Sequence, residues 1–258
     1  MAELPEKRKR KEDGENSEQS LEGLTKTISE VYWMVTADVR EGASKMEDTI
    51  ETGKNDKVLE CKQENMATLW SWLMQSVKFY NDVLASFFRD CPLISTICPE
   101  DQKLLSAHSY LAVWMIWNAP LFKNGDSYIP FLNGYRYNRA WMESILPADF
   151  VSYLHGYAEK QNSARFSINE LALLACMALT PKGVAGIKEP EAISKIHERF
   201  QAAMELEVSK TRVNPKEILK EVPILLQQLE EAVARQELIL KLQQQEQHPV
   251  RERERLLL

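Results

Sequence analysis

Ser167-Ile168-Asn169-Glu170-Leu171-Ala172-Leu173-Leu174-Ala175-Cys176-Met177-Ala178-Leu179 is the stretch that decides the fold. A small polar residue stands before an unbroken apolar run, and a Glu follows it three positions later. The Ser hydroxyl can accept from the first free backbone N–H groups while the Glu carboxylate reaches back to the cap. Asn214-Pro215-Lys216-Glu217 repeats the pattern ahead of a longer run from Ile218 to Leu242. Pro215 falls at the first helical position, where a missing N–H costs nothing. The register of two helices is set by these starts. In a chain with almost no strand signal they predict an all-α scaffold whose function lies in grooves and pockets.

Composition bounds what such a scaffold can be. With 258 residues, 44% of them hydrophobic, the chain can bury a full core in one large domain. The net charge of −6 argues against a general nucleic-acid surface. No apolar run approaches the roughly 20 residues needed to span a bilayer, so no membrane partner is expected. The charged N-terminus has no apolar core of a signal peptide, so none is expected there. The four cysteines, Cys61, Cys91, Cys98 and Cys176, show no CxxC spacing. That argues against a zinc site, no metal is expected, and free thiols fit a reducing compartment.

Residues 1–20 are polar and read as a disordered basic tail. Within them Lys7, Arg8, Lys9, Arg10 and Lys11 read either as a nuclear import signal or as a solvated tail. A domain is expected over 21–243, and 244–258 reads as a charged tail. Leu24, Ile28, Val31 and Val35 mark a helix over Leu21 to Val39. The charged, glycine-bearing Glu41 to Asp56 reads as a mobile connection. Helices are expected next over Met66 to Phe88 and Glu100 to Asn118, the second apolar nearly all round in its latter half and hence buried. Tyr128 to Leu132 and Tyr135 to Tyr137 flank Asn133-Gly134, a pair suited to a tight type I′ hairpin, and Pro130 limits it to an edge ribbon. Helices follow at 139–145, 147–162, 168–180, 189–211 and 215–245, with Pro223 expected to kink the last.

Catalytic patterns are missing. His197-Glu198 has no second His four residues after the first. Pro181-Lys182-Gly183-Val184-Ala185-Gly186 lacks phosphate-loop spacing and reads as a helix–helix turn. No Ser sits in a GxSxG elbow. No enzyme is expected.

The order of short motifs adds a resemblance. Phe88-Arg89-Asp90-Cys91-Pro92 is followed by Pro99-Glu100-Asp101-Gln102, Leu104-Leu105 and Ala119-Pro120-Leu121-Phe122. Phe131-Leu132-x-Gly134-x-x-Tyr137, Asn169-Glu170-Leu171-Ala172-Leu173-Leu174 and Glu221-Val222-Pro223-Ile224-Leu225 come after. Together these span about residues 21 to 242, and in this order they resemble the ligand-binding domain of nuclear hormone receptors, with the Rev-erb-like branch nearest. The resemblance implies a three-layer antiparallel helical sandwich with one short β-ribbon and a buried ligand cavity.

The departures are equally specific. Full receptors carry a two-zinc DNA-binding domain that needs eight cysteines, so no direct nucleic-acid contact is expected of this chain. Gln243 to Leu258 does not match the family's terminal activation helix, which implies repression or silence. Haem-binding relatives ligate iron through a His on the penultimate helix. No His lies between His197 and His248 here, so haem is not expected, nor any other cofactor.

Carried over residue by residue, the resemblance gives Arg89 the role of a basic clamp on the C-terminal end of a coregulator helix peptide, where free carbonyls carry partial negative charge. Gln102 and Leu105 would line the same groove. The bland reading of Arg89 is a solvated helix-end cation. Leu73, Met74, Val77 and Tyr80 take cavity positions on the third helix of the family, Trp114, Asn118 and Leu121 those on the fifth, and Phe131 closes the ribbon side. These residues would enclose a small apolar ligand or simply pack together, and bulky Tyr80 and Trp114 can fill the space themselves. Val222, Leu225, Leu226, Leu229 and Val233 would form a homodimer interface or a heterodimer interface with another nuclear receptor, or else all lie in the core. The leading expectation is a nuclear transcriptional regulator of receptor type without its own DNA-binding domain, with cytoplasmic residence as the alternative location. The alternative function is a carrier or sensor of a small apolar molecule with no transcriptional partner.

Overall fold

The structure, a computed structural model, describes the backbone of residues 5–54 and 56–256 and the side chains of residues 20–54 and 56–242. The basic run Lys7 to Lys11, the tail expected over 1–20 up to its last residue, and the tail 244–258 fall outside the described side chains.

Among the described residues the chain is helical with two short antiparallel ribbons. The helices are α1 (Pro5–Val35), α2 (Ala37–Thr52), α3 (Met66–Asp90), α4 (Pro99–Asn118), α5 (Arg139–Ile145), α6 (Ala148–Ala164), α7 (Ile168–Ala178), α8 (Pro190–Thr211) and α9 (Pro215–Leu256). They stack as a sandwich. Helices α1 and α3 pair on one side, α4 and α7 fill the middle, and α6 and α9 pair on the other, with α8 packed on α1, α7 and α9. The middle is where burial is most complete. From Ala172 to Leu179 every residue is buried, as are Leu111 to Val113 and Met115 to Asn118 of α4. An element enclosed on all sides needs no polar face, which is why neither run alternates.

The start of α7 follows its sequence signal. Ser167 Oγ accepts from Glu170 N at 3.2 Å, and Glu170 Oε2 accepts from Ser167 N at 2.6 Å. Glu170 is also fully buried and paired with Arg212, whose Nε donates to Oε1 at 2.7 Å and whose Nη2 donates to Oε2. Burial by itself would raise the Glu170 carboxyl, but the Arg212 and Ser167 bonds outweigh it and hold the group below its ordinary range. At Asn214 the bond formed is backbone only, from Glu217 N to the Asn214 carbonyl at 3.2 Å.

Three expectations need correction. Helix α2 runs through residues 41–52, most of the Glu41 to Asp56 stretch expected to be a mobile connection. Val39, Met46 and Thr49 are buried on its inner side, and Gly53 ends it at φ 65°. Gly42 does not break the helix. It lets α2 approach the ribbon, since a Cβ there would lie 3.1 Å from Pro130 Cγ.

The ribbon signal is realised twice. Strands β1 (Phe122–Lys123) and β2 (Asp126–Ser127) pair across Asn124-Gly125, both at positive φ, which is the two-residue turn expected at the other Asn-Gly. Strands β3 (Ile129–Pro130) and β4 (Arg136–Tyr137) pair across a longer loop instead. There Gly134 N donates to the Phe131 carbonyl and Phe131 N to the Tyr135 carbonyl, with only Gly134 at positive φ. Buried Arg136 anchors this ribbon, lying 3.3 Å from carboxylates of both Asp56 and Asp126 and over the Tyr128 ring.

The last correction concerns the expected dimer residues. Val222, Leu225, Leu229 and Val233 are buried within the chain, and Leu226 is half-buried. Helix α9 packs on α4, α6, α7 and α8, so its apolar stripe is core. Among the described residues of α9, the outward large apolar side chains are Ile224, Leu238, Leu240 and Leu242.

Candidate functional site

Helices α3, α4 and α6 meet the β3–β4 ribbon around a cavity of about 140 Å³. Leu73, Val77 and Tyr80 contribute from α3, Trp114 from α4 and Phe131 from just beyond β3, all expected from the sequence. Tyr110, Met142, Phe150 and Leu154 complete much of the wall and were missed. Tyr110 lies one helical turn before Trp114, so the 3.6-residue spacing carried a signal for it. The α5 and α6 residues had none, because no motif placed those helices against α3.

The remaining expected cavity residues lie elsewhere. Met74 is 57% exposed, on the outer side of α3. Leu121 is buried in the 3-10 turn Ala119–Leu121 and does not line the space. Asn118 stands behind the wall and fixes it. Tyr80 OH donates to Asn118 Oδ1 at 2.9 Å, and Asn118 Nδ2 donates to the Trp114 carbonyl at 2.8 Å. Burial pushes the Tyr80 hydroxyl up to about 12, opposed by its bond to Asn118, so it stays protonated. Its ring meets Trp114 edge-on at 6.4 Å and stacks on Trp117 at 6.3 Å. Aromatic bulk thus occupies most of the space that the surrounding helices leave.

An outer groove of about 610 Å³ runs between α2, α3 and the ribbon. It shares Ser76, Tyr80, Pro130 and Phe131 with the cavity, so these residues form the partition between the two. Sequence reading could not find this groove because it treated α2 as a connection. The burial spacing of Val39, Met46 and Thr49 was the available signal.

Arg89 ends α3 with its side chain 68% exposed. Its Nε and Nη2 donate to the two carboxylate oxygens of Asp90 at 2.9 and 2.8 Å. Its expected neighbours in the groove do other work. Leu105 is fully buried. Gln102 Nε2 donates to the carbonyls of Ile94 and Ile97, at 3.3 and 2.9 Å, and so holds the turn between α3 and α4. Asp101 is buried and accepts from Lys188 N at 2.9 Å and Glu189 N at 3.0 Å, capping α8 from a distance. Those backbone bonds hold its carboxyl below the usual range. Between Tyr80 and Arg89 the exposed positions of α3 are Asn81, Asp82 and Ala85, and between Asp101 and His108 those of α4 are Lys103, Leu104 and Ala107.

The histidines are partly committed. Burial, aided by Arg139, holds His155 below its ordinary pKa beside the Phe122 ring, 4.9 Å between centroids. His197 Nδ1 lies 3.0 Å from the Thr180 carbonyl, and burial lowers its pKa too. Among the described residues no group of three or more His, Cys, Asp or Glu is placed to hold a metal, and no helix is long and apolar enough to cross a membrane.

No family model matches the chain. Over 159 residues, 61% of its length, it is 24% identical to ecdysone-induced protein 78C of Drosophila melanogaster. Over 146 residues, 57% of its length, it is 23% identical to nuclear receptor subfamily 1 group D member 2 of Rattus norvegicus. The matched regions cover 18% and 25% of these relatives. Both similarities support a relation to nuclear receptors, which regulate transcription.

Proposed function

We propose that this chain is a nuclear transcriptional regulator built on a receptor-type ligand-binding domain. One observation carries the reading. Leu73, Val77, Tyr80, Trp114 and Phe131, from three separate sequence segments, line one pocket. The relation to nuclear receptors supports the same conclusion. The regulator would take a compact apolar ligand in that cavity and engage a coregulator helix peptide through Arg89, which leaves Asp90 to meet the peptide's terminal carbonyls. Pairing with a second receptor would use the outward Ile224, Leu238, Leu240 and Leu242 of α9, since the inward leucines are spent on the core.

The test is a fluorescence titration of the full chain with an amphipathic leucine-rich helical peptide. Arg89→Ala is expected to weaken binding roughly 3- to 10-fold, the range for one charge-assisted contact at an exposed site. Folding should be unaffected, because an exposed helix-end charge contributes little to it. Equal affinity of both proteins would remove Arg89 from any peptide contact. A native chain that binds no such peptide, yet binds small apolar molecules, would favour the carrier reading. The pairing of Arg89 with Asp90 and the polar neighbours on α3 are the observations that keep this second reading in play.

A further inference from the structure

The outer groove of about 610 Å³ takes wall residues from every turn of α2 between Asp38 and Thr52. At 1.5 Å per residue that stretch is about 21 Å long. Spread over that length, the volume leaves a section of roughly 30 Å², about 6 Å across. A helix with its side chains is about 10–12 Å wide, so a helical peptide does not fit. A single unbranched alkyl chain does.

The floor suits such a chain. Val39, Met46, Phe79, Pro130, Phe131 and Leu132 line it. Phe79 and Pro130 are half-buried and Leu132 is 59% exposed, so apolar surface stays within a ligand's reach.

The two ends differ in charge. Asp38 and Glu41 stand at the start of α2, and Lys45 there is taken up by Glu41, with 2.7 Å between Nζ and Oε1. Lys54 and Lys57 line the other end. Both are exposed, and among the described residues neither is paired with a carboxylate. The backbone sets their place. Gly53 ends α2, and the Lys57 carbonyl accepts from Arg136 N at 2.8 Å, which joins this segment to the ribbon. Asp48, one turn before Thr52, is the opposing charge, and the two ammonium groups outnumber it. A lysine head is a point charge on a flexible stem, so the two need not meet one oxygen. Each attracts a carboxylate held at that end.

We propose that this groove binds a long-chain monocarboxylate of the fatty-acid type, with its chain along the floor and its carboxylate at Lys54 and Lys57. The site lies outside the partition made by Tyr80 and Phe131, so it does not depend on a ligand in the cavity around Trp114.

The test is an NMR titration of the full chain, labelled at its methionine methyl groups. The probes are decanoate, decan-1-ol and decyltrimethylammonium, which share one chain and differ in head charge. Met46 lines the groove and not the cavity, and Met142 the cavity and not the groove. Decanoate is expected to shift Met46 saturably, to leave Met142 in place, and to bind at least about 3-fold more tightly than either other probe. Added salt should shrink that preference, since the lysines are exposed. Replacing both residues, Lys54→Ala with Lys57→Ala, should erase it, and Lys54→Arg with Lys57→Arg should keep it, with Tm unaltered in both. Equal or tighter binding of decan-1-ol or decyltrimethylammonium would overturn the proposal. So would a preference that survives the double alanine variant, or the lack of a saturable Met46 shift. Shifts at Met142 alone would also overturn it, and would place the chain in the cavity instead.

Discussion

Glu170 shows how much one residue can do in this fold. It closes the cap of α7 on Ser167, and it neutralises Arg212 at the end of α8, all at full burial. Removing one partner of a buried pair strands the other, at about 3–5 kcal/mol. Arg212 keeps 23% side-chain exposure, so Arg212→Met should cost about 3 kcal/mol, near the low end of that range. Ser167→Ala should cost about 1 kcal/mol for the lost cap. Urea denaturation of each variant measures both. The carboxyl is held below the ordinary Glu value of about 4.3. Its contribution is therefore complete above that pH and is lost as pH falls through the lower folded value. Below pH 4.3 the native chain should lose urea midpoint faster than Glu170→Gln, and parallel losses would show that Glu170 does not govern acid sensitivity. The cap was legible in the sequence because both halves lie within four residues. Arg212 was not, since its partner lies 42 residues away on another element and no local pattern announces such a pair. The Asp101-Gln102 signature was seen but its work was not. Asp101 caps α8 and Gln102 stitches a turn, tasks that only the packed structure reveals.

At the scale of elements, helices with strong apolar periodicity were legible and their surroundings were not. Leucines recurring every three or four residues along α9 look the same whether they face a core or a partner. Burial settles this, with Leu225 inside and Leu238 outside. Leu225→Glu would place a charge in an apolar interior, at a cost of several kcal/mol, and should abolish the cooperative melt. Leu238→Glu should leave helical circular dichroism within error of the native chain. If Leu225→Glu melts like the native protein, the seating of α9 against α4 and α6 is wrong. Helix α2 carried the opposite difficulty. Its charged surface, Gly42 and the Gly53 that follows it suggested a connection, yet Gly42 is there for close packing on Pro130 and Gly53 only for the left-handed end.

For the whole molecule, the question is how a receptor-like sandwich with so small an interior responds to ligand. The space of about 140 Å³ is close to that of an engineered apolar cavity that admits benzene, and well below the roughly 300 Å³ where most ligand sites begin. Tyr80 is locked by Asn118, and Trp114 meets both Tyr80 and Phe122 edge-on. These contacts hold the aromatic plug in place, so a polycyclic apolar ligand must displace it. In the native chain such a ligand should therefore leave Tm unchanged. Trp114→Ala removes the indole and should destabilise the fold by about 2–3 kcal/mol, less than a fully buried Trp because Trp114 is half-buried. It also enlarges the cavity, so saturating polycyclic ligand should restore Tm in the variant. At one hundred times Kd that recovery is worth about 2.7 kcal/mol, enough to offset most of the loss. Thermal melts of both proteins with and without the ligand read this directly. An equal rise in Tm for native chain and variant would mean that the plug yields without cost and that the small cavity does not limit what the domain can bind.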